Sequence, residues 1–505
     1  MTRYLTGCVF LFAVASQATE PKGGIVRETW DAAYLDNAKA GYVHTSTRAV
    51  DSDGQQILRT TMVLDLTVKR FNDLIHLHME SGDDETEKGQ VTGIFMKQPL
   101  GKNQNLIVKG TVEGEQLHVK ISGNGQTVDK RNPWKNNVIG LYRQQDIFRE
   151  RKVKPGDTFS YWSYQPEVTA AVRTHIAVKD YEDVPAVGNG AKKQRLLRVE
   201  ATADKIADIQ LPALTMWLDQ ELTPVRSQVE MLGLGKLTLE RSSRQVALES
   251  GGQVAKITDI GYTQLISLNR RIIQPYETRS AVYRITIKND PDPATTFARD
   301  GRQEIKNIQG NTFELHVRAK PRLETGDQPS RPKQEFLQSC YFINSDDAKV
   351  KAHAKAAIGS ATDPWEKARR IEHWVNIHMT NKNFTEAFAT SDEVARTLEG
   401  DCTEHAVLAA AMCRAAGVPS RGAVGLLYVD ASNGPVMGFH MWAEVWVDGQ
   451  WLPIDATLGR GHIGATHLKI CDNSWHDMQS LTPLLPALRV LGKVSIEVVS
   501  INGSD

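Results

Sequence analysis

Apolar and polar positions follow one rhythm over the first half of the chain and another over the last third. From residue 25 to about 250 the period is two. Met62, Leu64, Leu66 and Val68 interleave with Val63, Asp65, Thr67 and Lys69, which puts one set of side chains on each face of a strand. Leu106-Ile107-Val108 and Leu117-His118-Val119 flank the turn residues Glu113-Gly114, a hairpin pattern. Tyr161-Trp162-Ser163-Tyr164 and the run from Gln194 to Val199 add further short strands. Many short strands, polar turns and little helical period predict an antiparallel β domain over 25–250, built as a large curved sheet or half-barrel. A second strand-rich segment covers 255–318. There Val282, Arg284 and Thr286 alternate with Tyr283, Ile285 and Ile287, and Phe313, Leu315 and Val317 alternate with polar residues.

Residues 319–334 break this pattern with prolines, a glycine and many charges, the composition of an exposed linker. Beyond it the period becomes helical. Ser345-Asp346-Asp347 caps a helix running to Ile358. Asp363 followed by Pro364 starts a second, with Trp365, Ala368, Ile371 and Val375 on one side. Ser391-Asp392-Glu393 opens a short helix that Gly400 stops, and a further helix runs from Cys402 to Ala416 and ends at Gly417. Its middle, Ala406 to Cys413, is apolar all round and so predicted buried. Strands are expected at Gly422–Val429, Phe439–Val447 and Trp451–Asp455. The fold class is therefore α+β and multidomain, with an N-terminal antiparallel β-rich region followed by an α/β core over 335–505.

Composition narrows the function classes. The chain has 60 basic and 60 acidic residues, so no charge excess points to nucleic acid. The N-terminus carries Arg3, an apolar run from Cys8 to Ala15 and the small-x-small triplet Ser16-Gln17-Ala18, which predicts a signal peptide over 1–18 and an extracytoplasmic location, periplasmic or secreted. The apolar run is too short to span a bilayer, and no integral membrane span is expected. Export leaves Cys340, Cys402, Cys413 and Cys471, too few for a disulfide scaffold in so long a chain; a Cys340–Cys471 bridge is one arrangement that export allows.

Candidate chemistry concentrates in the last third. Cys402 falls in the first turn of the buried helix, where unpaired amides and the helix dipole favour a thiolate and face a developing oxyanion. Cys413, mid-helix in an apolar run, reads as inert packing. Asp448-Gly449 is a strong two-residue hairpin signal. Counting outward from that turn puts Trp442 opposite Asp455 and His440 opposite Thr457. His440 and Asp455 then share one face as diagonal neighbours, roughly 7–8 Å apart at the backbone. From there the carboxylate can fix the imidazole tautomer and leave the other ring nitrogen for a thiol.

These residues sit in blocks that resemble the transglutaminase-like superfamily. Gly400-Asp401-Cys402-Thr403-Glu404-His405 with Cys413-Arg414-Ala415-Ala416-Gly417-Val418-Pro419-Ser420-Arg421 is similar to its nucleophile block. His440-Met441-Trp442-Ala443-Glu444-Val445-Trp446-Val447 is similar to its histidine block, and Gly449-Gln450-Trp451-Leu452-Pro453-Ile454-Asp455-Ala456-Thr457 to its aspartate block. All three occur in the family's order, within about 340–475. The resemblance implies a papain-like transglutaminase-type core with Cys402, His440 and Asp455 as a catalytic triad. It implies an exported, cysteine-dependent amide hydrolase or acyltransferase, peptidase- or amidase-like, acting on a protein or peptide substrate. A protein-glutamine transamidase, or a non-catalytic binding or assembly protein on the same scaffold, are the alternatives.

Other residues read more plainly. His462, His467, Cys471 and His476 do not match a zinc spacing, so no metal and no cofactor are expected. Glu404 and His405 serve helix electrostatics and packing. Asp83-Asp84-Glu85 with Glu87 reads as a charged loop between strands. By analogy of fold alone, the N-terminal β domain suits an apolar or protein ligand.

Overall fold

The computed structural model describes residues 23–502, apart from 53, 101–103, 124, 166–169, 187–188, 206–211, 232–234, 250–256, 320–331, 385–387 and 477–484. The expected signal peptide and most of the expected linker lie outside the described residues. The protein is β-rich, with a large N-terminal antiparallel sheet and few helices.

That sheet has 14 strands. Eight, from Ile25–Leu35 to Gln126–Pro133, form one antiparallel meander, and six, from Thr158–Gln165 to Gly235–Ser242, form another. They join where Ile25–Leu35 pairs with Gly235–Ser242. An open twisted sheet of more than about ten strands tends to curl. Here the segment linking the two edge strands crosses between them, with Val138 bridging Trp162. It carries the helix Leu141–Arg151, whose Ile147 and Phe148 pack on Ile176, Val178, Leu197 and Val199.

The acidic cluster corrects the loop expectation. Asp83, Asp84 and Glu85 belong to the strand Asp73–Thr86. Asp83 Oδ2 accepts the Leu141 N–H at 2.7 Å and Glu85 Oε1 accepts the Tyr142 N–H at 2.8 Å, so both carboxylates cap that helix. Burial pushes both carboxyls up, Glu85 to about 7. Asp84 pairs with Arg59 at 2.7 Å.

The second sheet has four strands in the order Gln303–Gln309, Thr312–Arg318, Ser280–Ile287 and Val494–Asn502. Its last member comes from the chain's C-terminal end, which the sequence pattern alone had grouped with the α/β core. The third sheet holds Gly434–Val447 at its centre, flanked by Ser420–Ala431 and, on the other side, by Gln450–Ile454 and the short Ile266–Ser267; His467–Asn473 lies beyond Ser420–Ala431. The helices Ala348–Ile358, Pro364–His378, Ser391–Thr397 and Cys402–Ala415 pack together, and the last lies against Gly434–Val447. Every residue from Glu404 to Arg414 is buried. Apolar side chains of the first sheet, including Leu106, Val108, Val119 and Ile121, join Tyr341, Phe342 and the helices in one core.

Candidate active site

The helix that carries Cys402 begins with a reciprocal cap. Asp401 Oδ1 accepts the Thr403 N–H at 2.8 Å, and Glu404 Oε2 accepts the Asp401 N–H at 2.9 Å. Glu404 Oε1 also takes the Ala389 N–H at 3.1 Å. Gly400 has φ +130°, and a Cβ there would sit 2.4 Å from Glu404 Cγ, so the tight entry to the helix needs glycine. Cys402 is the first helical residue and half-buried, while Cys413 is fully buried. Burial drives the Cys413 and Cys340 thiols upward and Cys471 to about 12. The four described cysteines form no disulfide, so the Cys340–Cys471 bridge is not made; Cys340 Sγ instead lies 3.7 Å from Arg414 Nη1.

The Asp448-Gly449 turn has φ +49° and +82°, the two positive values of a type I′ hairpin. Its ladder runs Val447–Gln450, Trp446–Trp451, Val445–Leu452, Glu444–Pro453 and Ala443–Ile454. Pairing stops there, and Asp455 turns in. His440 Nε2 lies 2.8 Å from Asp455 Oδ2, and the Cys402 sulfur acts on the same imidazole, which leaves Nδ1 as the ring nitrogen for the thiol. Burial alone would lower the His440 pKa. The Asp455 carboxylate, and after it the sulfur of Cys402, outweigh burial and carry it up to about 10. Burial pushes the Asp455 carboxyl upward, but the His440 charge and the hydrogen bonds from both imidazoles hold it well below the usual range.

A second imidazole completes this arrangement. His467 Nε2 donates to the same Asp455 Oδ2 at 3.0 Å. Burial keeps His467 neutral by pushing it down to about 4. Asp455 Oδ1 accepts the N–H groups of Thr457 and Leu458 at 2.9 and 3.3 Å. The Asp455 carboxylate is thus held by four donors. Glu372 Oε1 accepts the backbone N–H of Asp455 at 3.3 Å and of Gly461 at 3.1 Å, and burial raises its carboxyl to about 7.

His440, Asp455 and His467 each offer one possible metal-ligand atom, all within 4.8 Å of one another. The two imidazole hydrogen bonds to one oxygen account for that convergence, and a cation there would have to displace both. Of the four residues weighed as a cluster from the sequence, only His467 joins this group. His462 pairs with Glu277 at 2.9 Å at the surface.

Residues 351–456 match the model of the transglutaminase-like superfamily, a span that contains Cys402, His440 and Asp455. The segment is a transglutaminase-like core. A protein of Haemophilus influenzae with no assigned function is 28% identical over 146 residues, 24% of this chain and 39% of that one, so the match spans well under half of that relative. Two solved structures are also similar. A β-barrel-like protein of a domain of unknown function from Brucella abortus is 10% identical, covering 43% of this chain and 95% of that one at a TM-score of 0.32. The periplasmic domain of TgpA from Pseudomonas aeruginosa, bound to ethylmercury, is 15% identical, covering 37% and 91% at a TM-score of 0.22.

Within the transglutaminase-like core, sequence reasoning missed the parts played by His467 and Glu372. His467 looked like one member of a loose His/Cys group, and nothing local ties it to a carboxylate 12 residues earlier. Glu372 carried a usable signal, since it is an acidic residue beside Ile371 on the buried stripe of its helix.

Proposed function

We propose that the protein is a cysteine-dependent amide hydrolase or acyltransferase in which Cys402 is the nucleophile, His440 the general base and acid, and Asp455 the residue that holds the imidazole. The observation that carries this reading is the 2.8 Å pairing of the His440 imidazole with the buried Asp455 carboxylate, with the half-buried Cys402 sulfur acting on the same imidazole. Proton transfer from thiol to imidazole makes a thiolate–imidazolium pair, and the Asp455 carboxylate stabilises the imidazolium.

The thiolate attacks a substrate carbonyl carbon, and its electron pair forms the C–S bond while the carbonyl oxygen becomes an oxyanion. The backbone N–H of Cys402, at the start of its helix, supplies a donor for that oxygen. Collapse breaks the C–N bond, and His440 gives its proton to the leaving amine. A thioester on Cys402 remains. Water, deprotonated by His440, then releases an acid; an amine acceptor would give transamidation.

We favour hydrolysis of peptide-like substrates, and the N-terminal apolar segment supports an extracytoplasmic site of action. Among the described residues no helix is long and apolar enough to cross a membrane. The test is incubation with a mixed peptide library followed by mass spectrometry. Cleaved peptides are expected. Deamidated or cross-linked glutamine would favour the transamidase reading, and an unchanged library would favour a binding or assembly protein.

A further inference from the structure

The hairpin between Gln55–Arg70 and Asp73–Thr86 belongs to the N-terminal sheet, yet its tip reaches the Cys402 helix. Its turn residues Phe71 and Asn72 have φ +48° and +72°, a strained choice for a bulky side chain. The surroundings hold it there. The backbone N–H groups of Phe71 and Asn72 donate to the two Asp259 oxygens at 2.8 and 2.7 Å. The Phe71 ring packs on Tyr262 at 5.3 Å and on Phe384 at 4.8 Å. Asp73 Oδ2 accepts the Phe384 N–H at 2.9 Å. One clamp therefore lies on the segment leading to Ile266–Ser267, which pairs with the His440 strand at Met437 and Val436. The other lies beside the segment leading to the Cys402 helix.

From this fixed tip Arg70 extends to Asp401. Its Nη1 is 2.7 Å from Asp401 Oδ2, and its guanidinium lies over the Phe384 ring at 4.9 Å. The Asp401 side chain is 3% exposed. It caps the helix through Oδ1, but its negative charge stands one residue before Cys402 and opposes negative charge on that sulfur or on a nearby oxyanion. The neighbouring His405 imidazole is not the balancing cation, because burial lowers its pKa. Arg70, 331 residues upstream of its partner, supplies the balance.

We propose that Arg70 is a positioning residue of the active site, through which the N-terminal sheet cancels the Asp401 charge beside the nucleophile. This rests on the reading of Cys402 as the nucleophile. Arg70 acts through Asp401 and is not assigned a contact with substrate. In consequence the large sheet is part of the reactive unit and not merely an appended binding module.

The test uses the full chain and two small alkylators, neutral iodoacetamide and anionic iodoacetate, with rates at Cys402 read by peptide mass spectrometry. Arg70→Gln should lower the iodoacetate-to-iodoacetamide rate ratio roughly fivefold, the scale of one unscreened charge several ångströms away in a partly solvated site. Arg70→Lys should restore most of it. Asp401→Asn, which keeps a good cap, should raise the ratio, and the double variant Arg70→Gln with Asp401→Asn should return it near wild type. If Arg70→Gln fails to fold, Arg70→Lys, with a ratio near wild type, and Asp401→Asn, with a raised one, still give distinct, readable predictions. A merely structural tie would slow both reagents alike and leave the ratio unchanged, which would overturn the proposal. A wild-type Cys402 no more reactive than Cys413 would instead remove the nucleophile reading and the proposal with it.

Discussion

His467→Phe isolates the part played by the second imidazole. The ring is fully buried, its Nε2 donates to Asp455 Oδ2 at 3.0 Å, and its Nδ1 has no hydrogen-bond partner among the described residues. Phenylalanine occupies similar space and removes one hydrogen bond to a buried carboxylate. Such a bond contributes about 1.5–3 kcal/mol. Asp455 keeps His440 and the Thr457 and Leu458 amides, so a loss of about 2 kcal/mol is expected, with its anchor on the His440 side weakened. If all of that were felt at the reacting geometry, the rate would fall roughly thirtyfold, so a fivefold to thirtyfold slower alkylation of Cys402 is predicted. His467→Gln, which keeps an N–H donor, should recover most of both losses.

The pH dependence carries a sign. His467 falls from its ordinary 6.5 to about 4 in the folded protein. Between those values the unfolded chain binds the extra proton, so His467 weakens the fold as pH falls. The deficit of His467→Phe should therefore be full above about pH 6.5 and shrink toward pH 4. The assays are urea unfolding of the full chain by tryptophan fluorescence, and iodoacetamide kinetics. A phenylalanine variant with wild-type unfolding and wild-type Cys402 reactivity would refute the reasoning.

Three further outcomes follow from the same geometry. His440→Ala should abolish nearly all turnover, while Asp455→Asn should lose less, because the cysteine–histidine pair can still react from a poorly held tautomer; equal losses, measured as kcat on a cleaved peptide, would contradict this. The His440–Asp455 pair should stabilise the fold most between about pH 4 and 6.5. The His440 contribution is lost as pH rises from its ordinary 6.5 toward about 10, and the Asp455 contribution is lost as pH falls below the ordinary carboxylate range; the difference in urea stability between wild type and His440→Gln should trace that window. Turnover should survive exhaustive chelation and stop with a cysteine alkylator, whereas loss on chelation restored by zinc or calcium would promote His440, Asp455 and His467 to metal ligands.

What was legible in the sequence was local. The Asp448-Gly449 turn sets its register within a few residues on either side, so the ladder from Val447–Gln450 to Ala443–Ile454 follows the count from the turn, Pro453 included, while the pairs Trp442–Asp455 and His440–Thr457 to which the count extends are not formed. Asp401 and Glu404 cap their helix through bonds two and three residues apart, again a short-range rule. The rest depends on long-range closure. Val494–Asn502 joins Ser280–Ile287 because an edge strand needs a partner, not because any nearby residue announces it. Asp83 and Glu85 looked solvated because charge runs usually are; the helix N-terminus that accepts them arrives from more than fifty residues away. Arg70 and Asp401 carry no mutual signal at a separation of 331 residues.

The central claim is that substrate acyl groups pass through the sulfur of Cys402, and trapping that intermediate tests it most directly. The protein is mixed with a peptide it cleaves, quenched in acid within milliseconds to seconds, digested, and searched for an acyl mass on each cysteine peptide. The account predicts a thioester on the peptide containing Cys402, none on those containing Cys340, Cys413 or Cys471, and neither adduct nor turnover in Cys402→Ala. Undiminished turnover in Cys402→Ala, or an acyl group carried on another residue, would contradict it.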